Sequence, residues 1–335
     1  MKIILPVAGK GTRLRPHTHT KPKSLVRVAG KTVLEHVMDN LAGLKADQFI
    51  LITDENGAVV EQFFRSRFPK ADAVFLPQVE LLGPAHAVSL AAPHIKKGDD
   101  LLIVFNDTLF VTDLTRIPKL CAKYDGLIYS KEVEDYKRFG VNVMKDGAIV
   151  DMVEKPDRPV SKLAQVGLYY VKDGAAFMGF IQQAIDAKLT VKGEYYLPAV
   201  FKLMIAAGSR LAAPEIEEWL DCGKPETLLA TNRYILDKKK HASRADGCAI
   251  VPPVYISPRA KVSGSVIGPY ASIGDGVTVD SCIISDSIIN ENAVIVNMNL
   301  NNSLIGPSAT IIGRREQINI GENSEIRFDK AVCEL

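Results

Sequence analysis

From Ile250 to Ile311, aliphatic residues recur every five or six positions: Ile250, Ile256, Val262, Ile267, Ile273, Val279, Ile284, Ile289, Ile295, Leu300, Ile305 and Ile311. Gly, Pro, Ser, Asn and Asp fill the intervals, as in Ile267-Gly268-Pro269-Tyr270-Ala271-Ser272. An amphipathic helix repeats about every 3.6 residues and a half-buried strand every 2, so neither accounts for this period. A hexapeptide β-helix does, because each step forms one flat side of a triangular coil and turns its aliphatic residue inward. Three steps to a coil predict about four coils over 250–313, enough for a small solenoid. The five-residue steps are expected to be bulges or corners.

The chain ahead of this segment has another character. Short apolar runs at Ile3–Val7, Phe49–Ile52, Ala73–Leu76, Leu101–Phe105, Leu127–Ser130 and Val166–Val171 read as buried strands. Between them lie helical stretches, clearest in Val33–Leu44, where Leu34, Val37, Met38, Leu41 and Leu44 share one face. Further helices are expected at Ala85–Ala92, Leu114–Tyr124, Gly174–Ala187, Ala199–Ala207 and Pro225–Lys238. Asp146-Gly147 between two strand-like runs predicts a hairpin. The alternation implies a mostly parallel sheet covered by helices on both sides, with ligands beyond the carboxyl ends of its strands. The expected organisation is an α/β domain over 1–240, a basic linker over 241–249, the solenoid over 250–313 and a tail over 314–335.

Lys and Arg number 41 against 39 Asp and Glu, well interspersed. That near-neutral balance argues against nucleic acid or an anionic membrane as partner. No apolar run approaches the roughly 20 residues of a membrane span. The first apolar run is short and leads into a charged loop, unlike a signal peptide. The five cysteines are scattered with no CxxC pair, which suits reduced thiols and a cytoplasmic location.

The strand Ile3–Val7 runs into Ala8-Gly9-Lys10-Gly11-Thr12-Arg13-Leu14, with Lys21-Pro22-Lys23 beyond. Glycines admit an anion close to backbone N–H groups, and the cations supply charge, so this is a phosphate cradle. No Gly-Lys-Ser/Thr closes a P-loop, and no third Gly completes a dinucleotide fingerprint. Asp107 ends the strand Leu101–Phe105 and reads as a Mg²⁺ ligand or a loop cap. Asp221, in Trp219-Leu220-Asp221-Cys222-Gly223-Lys224-Pro225, reads as a ligand or the cap of the following helix. Glu154-Lys155-Pro156, taken alone, reads as an exposed pair before a turn.

Taken together these motifs resemble the nucleotidylyltransferases that join a nucleoside triphosphate to a sugar 1-phosphate. The resemblance spans Met1 to about Tyr234. It implies a Rossmann-like α/β nucleotidyltransferase domain followed by a short left-handed β-helix, with Mg²⁺ as cofactor. Asp107 and Asp221 would jointly hold the metal. Arg13 would meet the triphosphate, Lys23 the charge at the reacting centre and Lys155 the sugar phosphate. Ala8, Gly9, Gly11 and Thr12 would line the nucleotide, Lys10 would flank the loop, and Gln78 and Gly83 would read the base. Gly140, Glu154, Gly167 and Glu194 would contact the sugar, in Arg138-Phe139-Gly140-Val141, Val166-Gly167-Leu168-Tyr169 and Gly193-Glu194-Tyr195-Tyr196. His86 is expected to be a structural residue at a helix start. The chain departs from the family pattern at Asn106, where a Gly often stands, at Pro84 for Thr, and at Pro198-Ala199 for Thr-Asp.

The chemistry suits such a residue set. A phosphomonoester near pH 7 is already mostly ionised, with a second pKa of about 6, and needs no general base. Catalysis must come from positioning and cations. The resemblance implies glucose 1-phosphate with dTTP or UTP, or alternatively mannose 1-phosphate with GTP. A non-catalytic regulatory subunit of the same fold is the other alternative. All six histidines precede Ala242, which leaves the solenoid without a His base for acyl transfer. Its expected role is self-association into a homo-oligomer.

Overall fold

The computed structural model describes residues 1–9, 11–240 and 245–314. Lys10, the linker residues 241–244 and the tail beyond Arg314 lie outside the described residues. The α/β half is organised by the strand Lys2–Pro6, which pairs in parallel with Gln48–Thr53 on one side and Leu101–Val104 on the other. Ala73–Pro77 extends the parallel half beyond Gln48–Thr53. On the other flank, Leu163–Val171 runs antiparallel to Leu101–Val104, and Gly126–Glu132, Gly140–Lys145 and Ala148–Glu154 complete an antiparallel wing. Asp146 and Gly147, at φ 49° and 76°, turn the expected hairpin between the last two.

Alternate residues of each central strand enter different cores. Ile3, Leu5, Leu102 and Val104 pack with Leu34, Val37 and Leu41 of the helix Val33–Leu41. Ile4, Leu101 and Ile103 pack with Phe177, Ile181 and Phe201 on the opposite face. Each side of the sheet is therefore sealed, which is why these strands read as continuous apolar runs. The helix Val33–Leu41 starts on a capping box in which Thr32 and Glu35 exchange backbone and side-chain bonds. The expected helix over Leu114–Tyr124 shrinks to Leu114–Arg116 and Ile117–Leu120, as Pro118 permits only a helix beginning beside it. The helix Gly57–Arg67 is an addition to the sequence reading. It opens on Gly and buries only Val60 and Phe64, so its periodic signal is weak.

After the helix Pro225–Lys239, the chain winds through three four-stranded parallel sheets. Equivalent positions are Tyr255, Ser272, Ile288 and Leu304 in one sheet, and Lys261, Thr278, Val294 and Thr310 in another. This is a four-coil β-helix, consistent with the left-handed form. All twelve periodic aliphatics form or flank a single core, the central coils fully buried and the end coils partly so. Most steps carry one left-handed residue: Gly264, Tyr270, Gly276, Ser281, Asp286, Asn292, Asn297, Asn302 and Ser308. The five-residue steps are thus ordinary sides with shorter corners rather than bulges.

The β-helix docks on the α/β half through its second sheet. Ile288, Leu304 and Tyr255 join the core around Leu5 and Leu34. Tyr255 lies against Gly30, where an added Cβ would meet the ring at 2.4 Å. Buried Asn232 knits the seam, accepting from Ala29 N (3.0 Å) and Ser272 Oγ (2.7 Å) and donating to Tyr270 O (2.9 Å).

Candidate active site

The strand Thr108–Val111 pairs antiparallel with Glu218–Asp221, so that Asp221 faces Thr108 and Cys222 N donates to Asp107 O (3.1 Å). This small sheet brings together two carboxylates more than a hundred residues apart in sequence. Asp221 Oδ1 accepts from Gly223 N at 2.7 Å, whereas the N-cap of the next helix is Lys224. Asp221 is therefore not a helix cap, and it lines the cleft that Asp107 and Arg13 also line. Lys23 Nζ sits 3.2 Å from Asp107 Oδ2. A Cβ on Gly223 would lie 2.7 Å from Asp221 Oδ1, 3.3 Å from Arg13 Nη2 and 3.5 Å from Lys23 Nζ. Two cations and the Asp221 carboxylate thus converge on a glycine that keeps the space between them open, and Lys23 links this group to Asp107.

Two cavities meet at this cluster. One, of about 440 Å³, is lined by Ala8, Gly9, Gly11, Thr12, Arg13, Lys23, Gln78, Gly83, Glu194 and Gly223. Gly11 adopts φ 56°, and a Cβ there would press on Thr18 and Lys23 at 3.1–3.3 Å. Thr18 Oγ1 donates to Gly11 O (2.7 Å), tying the loop to the segment that bears Lys23. Buried Gln78 donates to Gly83 O (3.3 Å) and to His86 Nδ1 (3.2 Å). Its amide donors are engaged, and its carbonyl oxygen is the group left to accept from a base edge. His86 is more than a helix-start residue: it orients Gln78. Gly83, at φ 105°, lies so close to Tyr195 that a Cβ would meet its backbone at 2.7 Å.

The second cavity, of about 560 Å³, is lined by Gly140, Glu154, Lys155, Gln165, Gly167, Tyr169, Tyr196 and Trp219 beside Arg13, Asp107 and Asp221. Lys155 adopts φ 47° and bridges Glu154 Oε1 (3.2 Å) and Tyr196 OH (3.1 Å). Tyr196 OH donates onward to Glu194 Oε2 (2.6 Å). Burial raises the Glu154 pKa, against the pull of Lys155. Burial would lower that of Lys155, but the Tyr196 hydroxyl and Glu154 outweigh it and raise it. The lysine is thus held charged at the wall of this cavity. Among the residues expected to contact the sugar, Gly140, Glu154 and Gly167 line this cavity, while Glu194 lines the first cavity and is joined to the second through Tyr196.

The sequence reading did not single out Gln165. Its amide donates to Asn142 Oδ1 (3.0 Å), Asn142 donates to Ser130 Oγ (2.8 Å), and Ser130 Oγ donates to Ile128 O (2.8 Å). Tyr169 OH donates to Gln165 Oε1 at 3.4 Å. This one-directional chain holds the Gln165 amide in place in the wall of the cavity. A polar residue inside an apolar run was its only sequence signal.

Mg²⁺ is commonly held by one or two carboxylates, with waters and substrate phosphates completing the shell. Asp107, at the junction of the cavities, and Asp221, on the paired strand and lining the second cavity with it, fit that requirement. No cluster of three or more metal-binding side chains occurs among the described residues, so no all-protein cage competes with it. Burial pushes the Cys222 thiol up to about 12 and Cys121 to about 11, which makes both inert packing groups.

A doubly covered sheet with a phosphate loop at its carboxyl edge, and cations facing paired carboxylates, defines a nucleotide-binding transferase of the α/β class. The nucleotidyl transferase family model matches residues 1–238, and the chain belongs to that family. It is 31% identical over 232 residues to the UTP–glucose-1-phosphate uridylyltransferase AglF of Haloferax volcanii, covering 68% of this chain and 93% of that protein. A glucose-1-phosphate thymidylyltransferase of Streptomyces antibioticus is 29% identical over 340 residues, covering 93% of each. The bifunctional protein GlmU of Methanocaldococcus jannaschii is 31% identical over 239 residues, which span 71% of this chain and 55% of the relative. A solved apo UDP-glucose pyrophosphorylase superposes with a TM-score of 0.63 at 22% identity, covering 71% of this chain and 98% of that one. That likeness establishes the fold of the α/β half.

Proposed function

We propose that the chain transfers a nucleotidyl group from a nucleoside triphosphate to a sugar 1-phosphate, giving a nucleotide sugar and pyrophosphate. The observation that carries this reading is the convergence of Arg13, Lys23 and Asp221 on Gly223, with Asp107 paired to Lys23, between a glycine-lined cavity and one bearing Glu154 and Lys155. A phosphate oxygen of the sugar 1-phosphate attacks the α-phosphorus, the new P–O bond forms, and the bond to the β-phosphate breaks as pyrophosphate leaves. Lys155 holds the attacking phosphate and Glu154 accepts from sugar hydroxyls. Arg13 and the backbone of Gly9 and Gly11 hold the triphosphate, and Lys23 faces the developing charge. Asp107 and Asp221 would hold Mg²⁺, which when bound supplies charge neutralisation on the phosphates.

The pairing put forward is glucose 1-phosphate with dTTP or UTP, supported by the activities named for the Streptomyces and Haloferax relatives. An acceptor-only Gln78 side chain suits the ring N–H of thymine or uracil, although guanine also offers donors. Mannose 1-phosphate with GTP therefore stays in the test. No helix among the described residues is long and apolar enough to cross a membrane. The soluble substrates favour the cytoplasm. The β-helix is put forward as the surface of a homo-oligomer, supported by the exposed Val251, Val266 and Ile283. Pyrophosphate release is measured across a grid of nucleoside triphosphates and sugar 1-phosphates, with and without Mg²⁺. Release that needs both substrates and the metal is the expected result. Silence over the whole grid from folded protein replaces this reading with the regulatory subunit.

A further inference from the structure

The β-helix contributes one carboxylate to the neighbourhood of the phosphate loop. Glu291 stands at a corner between two sheets of the third coil, after the strand Ile288–Ile289. That corner is clamped by the coils beside it: Asn292 N donates to Asp275 O (2.9 Å) and Ser308 N to Glu291 O (2.8 Å). Glu291 Oε1 accepts from Lys21 Nζ (3.3 Å) and from Arg27 Nε. These two cations flank Lys23 in sequence. The short turn Lys23–Leu25 between them is closed by Leu25 N to Pro22 O (2.9 Å) and anchored by buried Leu25 and Val26. The Lys23 side chain in turn limits Gly11, since its Cβ would stand 3.3 Å from any Cβ added there.

We propose that Glu291 is a positioning residue for the transfer reaction: by gripping Lys21 and Arg27 together, it fixes the backbone that aims Lys23 at Asp107 and shapes the Gly11 loop. The inference rests on the transferase reading above. It gives the β-helix a part in its own chain's active site, besides any part in association. Two features favour positioning over plain docking. Glu291 Oε2 is buried without a hydrogen-bond partner, an arrangement that costs stability and is expected at sites kept for function. The seam also has a separate ion pair, Arg233 with Asp286, which joins the helix Pro225–Lys239 to the β-helix and whose hydrogen bonds involve neither Lys21 nor Arg27. That pair provides the contrast.

The test compares full-length Glu291→Gln, Glu291→Asp, Lys21→Met and Asp286→Asn with the parent in kcat, both KM values and thermal midpoint. Small displacements of a phosphate-binding cation cost on the order of 10- to 100-fold in rate. E291Q is therefore expected to lower kcat about ten-fold, with KM for the sugar 1-phosphate little changed. E291D, which keeps the charge, should recover part of the loss. K21M should lower kcat too, and the E291Q/K21M double variant should lose no more than the worse single variant. D286N should lower the thermal midpoint and leave kcat unchanged. E291Q with parental kcat, or D286N with an equal loss of kcat, overturns the proposal. Should E291Q fail to fold, K21M and E291D decide by the same criteria. Should the parent release no pyrophosphate with any pair, the transferase reading fails. Titration calorimetry with MgdTTP, MgUTP and MgGTP then decides, weaker binding by E291Q but not by D286N upholding the role of Glu291 and equal binding refuting it.

Discussion

In the α/β half, Ile3, Ile4 and Leu5 are buried from both faces, and their strand ends in a loop shaped by Gly9 and Gly11. In the β-helix, Ile273, Ile284 and Ile289 are equally buried, but each of their strands ends in a short corner with one left-handed residue. Both regions are parallel strands around an aliphatic core. They differ in the connection at the strand's carboxyl end. Loops of unequal length and composition can converge Arg13, Lys23, Asp107 and Asp221 on one point. Corners that differ by no more than a residue can only repeat, and repetition yields a stiff rod rather than a cleft. The irregular half therefore carries the chemistry, and the regular half offers fixed anchor points such as Glu291.

The most direct way to break this division is to injure each region once. Asp107→Asn should lower Mg²⁺-dependent turnover on the order of 10³-fold, because a charge stabiliser at the reacting phosphates is lost. Asp107 is 44% exposed, so the thermal midpoint should barely move. Near-parental turnover removes Asp107 from the metal site. Ile273→Ala, in the middle of the β-helix core, is expected to do the reverse. It should cost about 2–5 kcal/mol of stability through lost burial and a residual cavity. At a temperature where the variant remains folded, kcat should stay within about two-fold of the parent's, because the cleft loops are untouched. A large loss of kcat there would show that the stiffness of the coil itself supports the site.

The same contrast explains what could be read before the fold was seen. The β-helix was legible almost completely, since its core depends on a local period and every periodic aliphatic from Ile250 to Ile311 belongs to it. The glycine loop, Asp107 and Asp221 were legible as motifs at strand ends. Less visible were partners that meet only through the tertiary fold. Gln165 reaches Asn142 across 23 positions, and Lys21 reaches Glu291 across 270. Nothing in the local sequence of either Gln165 or Glu291 marks the partner. His86 was read as structural because its neighbours suggested a helix start, while its bond to Gln78 depends on how the intervening loop folds back.

A smaller effect sharpens the comparison on the α/β side. His36 is buried on the helix Val33–Leu41, with Nε2 donating to Val28 O at 2.9 Å. Burial lowers its pKa from 6.5 to about 4. The unfolded chain therefore binds a proton that the folded chain refuses between these values. Stability from the neutral ring is complete above about pH 6.5 and is lost as pH falls towards 4, by up to about 3 kcal/mol. Denaturant titrations at pH 7 and 4.5 should show this slope, and His36→Gln should flatten it. A slope unchanged in that variant would assign the acid sensitivity to other groups.

The smallest expected effect lies at a corner of the β-helix. Asn297 has φ 54°, and its N–H donates to Asp280 O (3.0 Å) in the coil before. The left-handed conformation costs an ordinary L-residue about 1–2 kcal/mol, less for Asn and essentially nothing for Gly. Asn297→Ala should therefore lower stability by about 1 kcal/mol, whereas Asn297→Gly should leave it nearly unchanged, its backbone ease offset by a more flexible unfolded chain. The difference between the two variants isolates backbone conformation from any loss of side-chain contact, because both remove the amide. Equal stabilities would mean that the corner does not enforce φ, and the uniform geometry that separates this region from the α/β loops would lose its energetic basis.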